Sequence, residues 1–315
     1  MLPWLAHGHI SPFLELAKKL TTRNFHVYFC STPINLGLIK QKLSEKHSLS
    51  IQFVELHFPS LPELPPHYHT TNGLPPHLMS TLKKALAMAS PNFSTILKKL
   101  KPDLVIYDFV PPWAPSLALS HNIPAVEFLP VSAAMTSFSM QVTNNTSVEF
   151  LFPEICLRDY EVSQFTRLID SSAKDTGDGA LECFERSEII LIKTFREIEA
   201  KCIDYLSVLV GKKIVPVGPL VHTDPIQEYE KNEIIEWLNN KEPSSAVFVS
   251  FGSEYFLPKN EVQEMADGLE LSRVNFIWVV RFPQGGKDSL QMALTKGFFK
   301  GLEIEEWLWR DGLPK

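Results

Sequence analysis

The 315-residue chain is poor in glycine, with 14 glycines against 24 prolines. Only Gly8, Gly37 and Gly73 fall in the first 150 residues, so the chain has neither GxGxxG after its first predicted strand nor GxxxxGK[ST]. These are the commonest glycine-rich phosphate loops, and their absence argues against a standard dinucleotide-binding or P-loop protein. The absence of GxSxG likewise weakens an assignment to the α/β-hydrolases.

Positive charge and cysteine are also scarce. Thirty Lys and Arg against 36 Asp and Glu give a net charge of −6, which disfavours nucleic acid as a partner because no basic excess can neutralise phosphates. The four cysteines form no CxxC pair, a pattern typical of a reduced cytoplasmic chain with structural thiols; they are Cys30, Cys156, Cys183 and Cys202.

Long hydrophobic runs are missing as well. No stretch of eighteen apolar residues exists, so we expect no membrane insertion. The first residues, MLPWLAHGHISP, lack both a basic segment and a long apolar core, so we expect no signal peptide.

The chain does contain short β-branched or aromatic runs that alternate with helical patterns, which predicts βαβ units and parallel sheets. The strands predicted in the first two thirds are Leu2–Leu5, His26–Cys30, Ile51–Leu56, Leu104–Asp108, Ala125–Leu129, Ile189–Lys193 and Lys213–Val217. Ser11 and Pro12 predict the cap and first position of the first helix. Later helices are predicted at Leu78–Ala89, Phe93–Leu100, Ser132–Gln141 and Ile198–Val208.

Two irregular stretches interrupt this alternation. Phe58–Leu78 is too rich in proline for a strand or helix, so it predicts a surface loop that either walls a binding pocket or merely connects elements. Val217–Glu233 has the composition of an interdomain linker. The alternation then resumes with predicted elements at Ile234–Leu238, Ala246–Phe251, Asn260–Leu271 and Phe276–Arg281. We therefore predict domains at residues 1–218 and 219–315.

Eight of the ten histidines fall in the first 77 residues. No cysteine or carboxylate cluster accompanies them, so a metal site is not favoured. His7 and His9 follow the first predicted strand, and Asp108 ends another, so both places lie at the carboxyl edge of the predicted sheet, where open parallel sheets bind ligands. A His and an Asp there can form a general-base pair; the alternative is a helix-capping His and an unrelated Asp.

Three segments carry a resemblance to a known family: PWLAHGHISPFLELAKKL (residues 3–20), PDLVIYDFVPPWAP (102–115) and VFVSFGSEYFLPKNEVQEMADGLELSRVNFIWVVR (247–281). They resemble the plant family-1 UDP-sugar-dependent glycosyltransferases. The similarity extends over about residues 1–298, and the segments look nearest to the branch that adds a sugar to flavonoid, terpenoid or apocarotenoid glycosides. The resemblance implies the GT-B fold, an α/β architecture of two Rossmann-like domains, here with an acceptor domain at 1–218 and a partial donor domain at 219–315.

The resemblance also implies an inverting reaction with His9 as general base and Asp108 as its partner; His7 is the second choice. An acceptor hydroxyl would attack the anomeric carbon of a UDP-sugar, which is a co-substrate, so no cofactor or metal is implied. Glucose is the first candidate for the sugar, with rhamnose and xylose left open. A neutral His has a suitable pKa for this role at cytoplasmic pH.

By the same resemblance, Ser253 contacts the nucleotide diphosphate, although its place also suits a helix cap. Trp113 and Ser132 follow predicted strand ends and are candidates for the acceptor pocket. Trp278 lies within a predicted strand and is expected in the core. The expected partners are therefore a small-molecule acceptor and a UDP-sugar donor, bound by a monomer.

The chain departs from the family pattern at both ends. It begins within the family's first strand, and after Lys296-Gly297-Phe298 it continues as FKGLEIEEWLWRDGLPK in place of the family's signature box for the nucleotide sugar. From this we expect an incomplete second domain, produced by a shifted reading frame or a mis-spliced junction. The alternative function is then a catalytically inactive fragment that at most binds acceptor-like small molecules.

Overall fold

The computed structural model describes residues 1–40, 47, 49–143, 150–152, 155–164, 187–221, 233–283 and 307–309. The chain forms two compact units. One comprises Met1–Thr70 and Leu78–His222, and the other comprises Thr71–His77 and Thr223–Lys315. Within the described ranges, no helix is long and apolar enough to cross a membrane.

The first unit alternates strands and helices, as its sequence predicts. Its strands are β1 (Val27–Ser31), β2 (Ile51–Glu55), β3 (Val105–Tyr107), β4 (Ala125–Leu129), β5 (Ile189–Ile192) and β6 (Lys213–Pro216). Its helices are α1 (His7–Thr21), α2 (Pro33–Lys40), α3 (Met79–Met88), α4 (Ser90–Leu100), α5 (Trp113–Ser120), α6 (Ala133–Thr143) and α7 (Arg196–Val210). The predicted strands from β1 onward and the later helices are confirmed to within a few residues, whereas the short helices α2 and α5 were not predicted.

Met1 and Leu2 join two parallel sheets, β1–β2 and β3–β4–β5–β6, into one order. The Leu2 amide donates to the Ile106 carbonyl at 2.9 Å, and the Asp108 amide donates to the Leu2 carbonyl at 3.0 Å. On the other side, the Cys30 amide donates to the Met1 carbonyl at 2.9 Å. The spatial order is therefore β2, β1, the Met1–Leu2 segment, β3, β4, β5 and β6, with every pairing parallel.

The predicted strand Leu2–Leu5 is wrong in extent, because only Leu2 pairs, as an isolated bridge to Tyr107. Pro3 has no amide hydrogen with which to continue the ladder. The backbone then turns directly into α1.

The start predicted for α1 is also wrong. The helix begins at His7 with Ala6 as its N-cap, and Pro12 lies inside it. The Ala6 carbonyl accepts from the His9 and Ile10 amides at 3.0 and 2.9 Å, which starts the helix four residues before Ser11. Pro12 removes only one helical hydrogen bond, so tertiary packing of the helix outweighs its breaking tendency.

Helices cover both faces of this sheet, as a buried parallel sheet requires. On one face, Phe13 and Leu16 of α1 pack with Ile106 and Phe128, and the Phe13 and Phe128 ring centroids are 4.7 Å apart. On the other face, α6 and α7 bury apolar side chains against β4, β5 and β6, among them Leu129, Ile190, Ile192, Ile203 and Leu206. The carboxyl edge of the sheet is thus held by packing on both sides.

The second unit contains β7 (Ala246–Ser250), β8 (Asn275–Val279) and β9 (Trp307–Trp309), which pair in parallel in that order, and helices α8 (Glu233–Asn239) and α9 (Lys259–Ser272). The elements predicted at β7, β8, α8 and α9 are confirmed, while β9 was not predicted. Trp278 is fully buried against Phe276 and α9, so its expected place in the core is confirmed.

The two irregular stretches differ in how far the structure describes them. Phe58–Leu78 contains short 3-10 turns at Pro66–Tyr68 and Pro76–Leu78. Most of the predicted linker, residues 222–232, lies outside the described residues, as do Cys183 and the segment 296–298 where the resemblance ends.

Candidate active site

The sheet order of the first unit creates a switch point between the Met1–Leu2 segment and β3. From Met1–Leu2 the chain passes through α1 to β1 on one side, whereas β3 lies on the other side. Connections that leave neighbouring strands in opposite directions open a crevice at the carboxyl edge, where open α/β sheets bind ligands. His9 follows the first of these segments and Asp108 follows the second, so the candidate pair spans this point.

The structure brings His9 and Asp108 together. His9 Nδ1 lies 2.8 Å from Asp108 Oδ2, the Asp108 side chain is fully buried, and the His9 side chain is 20% exposed. The carboxylate can only accept, so Nδ1 carries the hydrogen of this bond. The ring nitrogen able to take a proton from a bound hydroxyl is therefore Nε2.

Local backbone structure sets the position of both side chains. His9 is the third residue of α1, so its Cα is held by the first helical turn. The Asp108 amide pairs with Leu2, and its Oδ1 accepts from the Val110 amide at 3.3 Å. The Phe109 ring lies 5.5 Å from the His9 ring, tilted by 48°. Sequence reasoning missed Phe109, although its place directly after Asp108 was a usable signal.

Glu127 is a second buried carboxyl close to this pair, and sequence reasoning missed it too. It lies in β4, opposite Tyr107 in the ladder, and is fully buried. Burial, together with the negative charge of Asp108, holds the pKa of Glu127 well above its ordinary value. A glutamate inside the apolar run AVEFL was the available signal. Burial therefore disfavours a second negative charge beside Asp108.

Ser253 lies in the loop that follows β7, half-buried and directly after Gly252, whose φ of +83° suits glycine. The next helix, α9, begins at Lys259 with Pro258 as its N-cap. The helix-capping alternative for Ser253 is therefore wrong. The serine stands at the carboxyl end of a parallel strand in the second unit.

Trp113 and Ser132 both have local structural contacts. Trp113 is the first residue of α5, and its ring packs 5.6 Å from that of Phe93 in α4. Ser132 Oγ accepts from the Met135 amide at 3.1 Å and so caps α6. A lining role in an acceptor pocket remains a prediction for both residues.

The other histidines of the first 77 residues form no metal-ligand cluster with the residues that the structure describes. Within the part of the chain that the structure describes, no three His, Cys, Asp or Glu residues are grouped closely enough to hold a metal ion. His69 is buried in the proline-rich loop, with Nε2 3.2 Å from the Leu64 carbonyl and its ring 4.9 Å from that of Phe58. These contacts give His69 a structural role.

The comparisons with known proteins agree with this architecture. The family model described as "Glycosyltransferase, N-terminal domain" matches residues 1–222. The chain is 51% identical over 319 residues to the β-D-glucosyl crocetin β-1,6-glucosyltransferase of Gardenia jasminoides, covering 98% of this chain and 72% of that protein. It is 52% identical over 318 residues to UDP-glucosyltransferase 29 of Panax ginseng, covering 98% and 69%.

Solved structures show the same fold. The chain superposes on UGT73P12 of Glycyrrhiza uralensis, complexed with glycyrrhetinic acid 3-O-monoglucuronide, with a TM-score of 0.76, 21% identity and coverage of 100% and 68% of the two chains. It superposes on Medicago truncatula UGT71G1, complexed with UDP-glucose, with a TM-score of 0.73, 21% identity and coverage of 99% and 70%. Together with the sequence relatives, these matches show that the chain belongs to the plant UDP-glycosyltransferases and has their GT-B fold.

Proposed function

We propose that this protein transfers a sugar, with glucose as the first candidate, from a UDP-sugar to a hydroxyl of a small plant glycoside. The observation that carries the proposal is the 2.8 Å contact between His9 and the buried Asp108 at the switch point of the first sheet. The relatives' names support the substrate class, since one acts on glucosyl crocetin and others are mogroside IIIx synthases.

In the proposed reaction, His9 Nε2 takes the proton of the acceptor hydroxyl while the hydroxyl oxygen forms a bond to the anomeric carbon. The bond between that carbon and the UDP oxygen breaks, UDP leaves with its electron pair, and attack from the opposite side inverts the configuration. Asp108 holds the imidazole in one tautomer and stabilises the imidazolium that forms. The step is a displacement with no change of oxidation state, so we propose that it needs no redox cofactor.

On the donor side, we propose that Ser253 donates its hydroxyl to a phosphate oxygen of UDP. The serine lies at the carboxyl end of β7, and Gly252 before it adopts a positive φ that keeps the backbone open to a ligand. On the acceptor side, we propose that Trp113 and Ser132 line the pocket, because each begins the helical segment that follows β3 or β4.

We also propose that the protein acts as a monomer in the cytoplasm. Cys30, Cys156 and Cys202 are free thiols, as a reducing compartment favours. Burial raises the pKa of the Cys30 thiol to about 12, which disfavours the reactive thiolate form.

The test is a transfer assay on the purified full chain with UDP-glucose and a panel of terpenoid and apocarotenoid β-glucosides. Product formation is followed by mass spectrometry, and the new anomeric configuration is read by NMR. Replacing His9 with Ala should lower kcat/KM by about 10²- to 10⁴-fold, the usual contribution of a general base. The matched control is His7→Ala in the same helical turn, which should retain transfer.

Three results would count against the proposal. Retained transfer in His9→Ala would show that His9 is not the base. Acceptor binding by the wild-type chain without any sugar transfer would support the inactive-fragment alternative. In Ser253→Ala we expect the KM for UDP-glucose to rise by about 10- to 100-fold, because a hydrogen bond to a charged group is lost. An unchanged KM would remove Ser253 from the donor site.

A further inference from the structure

Glu199 makes hydrogen bonds that cross from its own helix to another element. It lies near the start of α7, where its φ of −119° and ψ of 23° depart from helical values. Its carboxylate accepts from the Ala133 amide at 2.9 Å and from the Ala134 amide at 3.1 Å, and these are the first two residues of α6. It also accepts from the Thr194 hydroxyl in the connection after β5.

Thr194 extends this link to a third connection. The Thr194 carbonyl accepts from the Gly218 amide at 2.9 Å, just after β6. Through Thr194 and α6, the Glu199 carboxylate therefore ties together the segments that leave β4, β5 and β6. All three segments lie at the carboxyl edge of the sheet, the same edge that carries His9 and Asp108.

One of the tied segments, the one that leaves β4, starts beside the strand that leads to Asp108. β4 pairs directly with β3, so the carboxyl end of β4 lies one strand spacing, about 4.8 Å, from the end of the strand that leads to Asp108. Ser132 stands between β4 and α6, and its hydroxyl already accepts the Met135 amide. The Ala133 and Ala134 amides donate to the Glu199 carboxylate instead. A carboxylate is a favourable partner for the amides at a helix N-terminus.

We propose that Glu199 is a positioning residue for acceptor binding, since it fixes the start of α6 and the adjacent Ser132 at the sheet edge that carries the His9–Asp108 pair. This inference rests on the proposed function, because it takes the carboxyl edge of the first sheet as the acceptor site. Strand-end loops are the least constrained parts of such a fold. The loop between β4 and α6 is restrained because the Ala133 and Ala134 amides and the Thr194 hydroxyl all donate to the Glu199 carboxylate.

The first test is steady-state kinetics of the full chain with Glu199→Gln, which removes the charge but keeps the size of the side chain. The KM for the acceptor should rise by about tenfold, because small displacements of positioning groups weaken productive binding. The KM for UDP-glucose should stay within about twofold, since Ala133, Ala134 and Thr194, the partners of Glu199 among the described residues, lie in the first unit. Glu197→Gln, an exposed change two residues earlier in the same helix, is the matched control and should leave both KM values unchanged.

A second measurement tests the hydrogen bonds of Glu199 directly and does not depend on enzyme activity. Hydrogen exchange at the Ala133 and Ala134 amides should be faster in Glu199→Gln than in the wild-type chain, with exchange in α9 of the second unit unchanged. Thr194→Val removes one of the three donors and keeps the Glu199 carboxylate. It should therefore raise the acceptor KM and the exchange rates at Ala133 and Ala134 by less than Glu199→Gln does. It also provides a variant of nearly equal shape should Glu199→Gln fold poorly.

The outcomes separate this inference from the proposed function. Absence of transfer by the wild-type chain contradicts the proposed function, and unchanged exchange at Ala133 and Ala134 in the variants then overturns the inference as well. If transfer is intact, an acceptor KM equal in wild type and Glu199→Gln overturns the role of Glu199 alone. A lower melting temperature with an unchanged acceptor KM also overturns that role, because a purely structural residue would produce the same result.

Discussion

β3 and β7 are both short, apolar, parallel strands, and each leads to a residue proposed to act in the reaction, yet they differ in burial. All three residues of β3 are buried, whereas β7 is largely exposed and its Phe248 side chain is 68% exposed. β3 has Leu2 on one side and β4 on the other, while the one strand that pairs with β7 within the described residues is β8. Burial of a strand is therefore decided by its neighbours and covering helices rather than by its own composition.

The same contrast applies to the residues that follow the two strands. Asp108 is fully buried, with its amide paired to Leu2 and both carboxylate oxygens hydrogen-bonded. Ser253 is half-buried in a loop of several residues before α9. The first unit thus holds its candidate base in one arrangement, which is the condition for catalysis by a positioned group.

The largest expected effect comes from replacing Asp108 with Asn. We expect kcat/KM for sugar transfer to fall by about 10²- to 10⁴-fold, since Asn cannot stabilise the imidazolium that forms on His9. The measurement is the transfer assay with saturating UDP-glucose. Asp103→Asn, an exposed change just before β3, is the control and should behave as wild type. Activity within about threefold of wild type in Asp108→Asn would show that this buried strand end does not serve catalysis.

The next effect tests the burial contrast itself with one substitution in each sheet. Phe128→Ala in β4 should lower the free energy of unfolding by about 3–5 kcal/mol, because the ring is fully buried against Phe13. Phe248→Ala in β7 should change it by no more than about 0.5 kcal/mol, as surface substitutions do. Urea denaturation of both variants provides the comparison. Equal losses would mean that Phe248 is covered in solution.

A smaller effect concerns Glu127, whose pKa is raised by burial and by Asp108. The carboxyl group loses its proton near pH 4.5 in the unfolded chain and at higher pH in the folded chain. The free energy of unfolding therefore falls as pH rises above 4.5 towards the folded pKa, by up to about 1.4 kcal/mol per pH unit. Glu127→Gln cannot ionise and should be more stable than wild type at pH 8, with a smaller gain at pH 5.

Chemical denaturation at both pH values measures this change. Glu63→Gln, an exposed change in the first unit, is the control and should show no pH-dependent gain. A Glu127→Gln protein that is less stable than wild type at pH 8 would show that the carboxyl is ionised and partnered in the folded chain.

The smallest expected effect lies in the proline-rich loop. Burial lowers the pKa of His69 below 6.5, so the folded chain keeps the ring neutral while the unfolded chain takes up a proton as pH falls through 6.5. Stability from this site is therefore present above pH 6.5 and is lost as pH falls below it. Melting temperatures across that range should fall less steeply for His69→Gln than for wild type. The exposed control His26→Gln should follow wild type, and an unchanged slope in His69→Gln would exclude His69 as the source.

Much of the first unit could be predicted because it depends on short-range patterns. The runs around Ala125 and Ile189 are β-branched and apolar, and they became strands almost at the expected residues. The strand-end positions of His9 and Asp108 were predictable for the same reason, since parallel strands place their carboxyl ends at one edge. The start of α1 could not be predicted in this way. Ser11 and Pro12 form a good local signal for a helix start, but the helix begins earlier because the Ala6 carbonyl accepts the first helical hydrogen bonds.

The sequence by itself determined the alternating α/β architecture and the resemblance to glycosyltransferases, and it predicted that His9 and Asp108 lie at one sheet edge. Only the tertiary structure decided that His9 is the histidine in contact with Asp108, that Met1 pairs with β1 while Leu2 pairs with β3, and that Glu199 links the segments that follow three strands. Each of these rests on hydrogen bonds between residues far apart in the chain. Local propensity carries no information about such partners, because packing against distant elements brings them together.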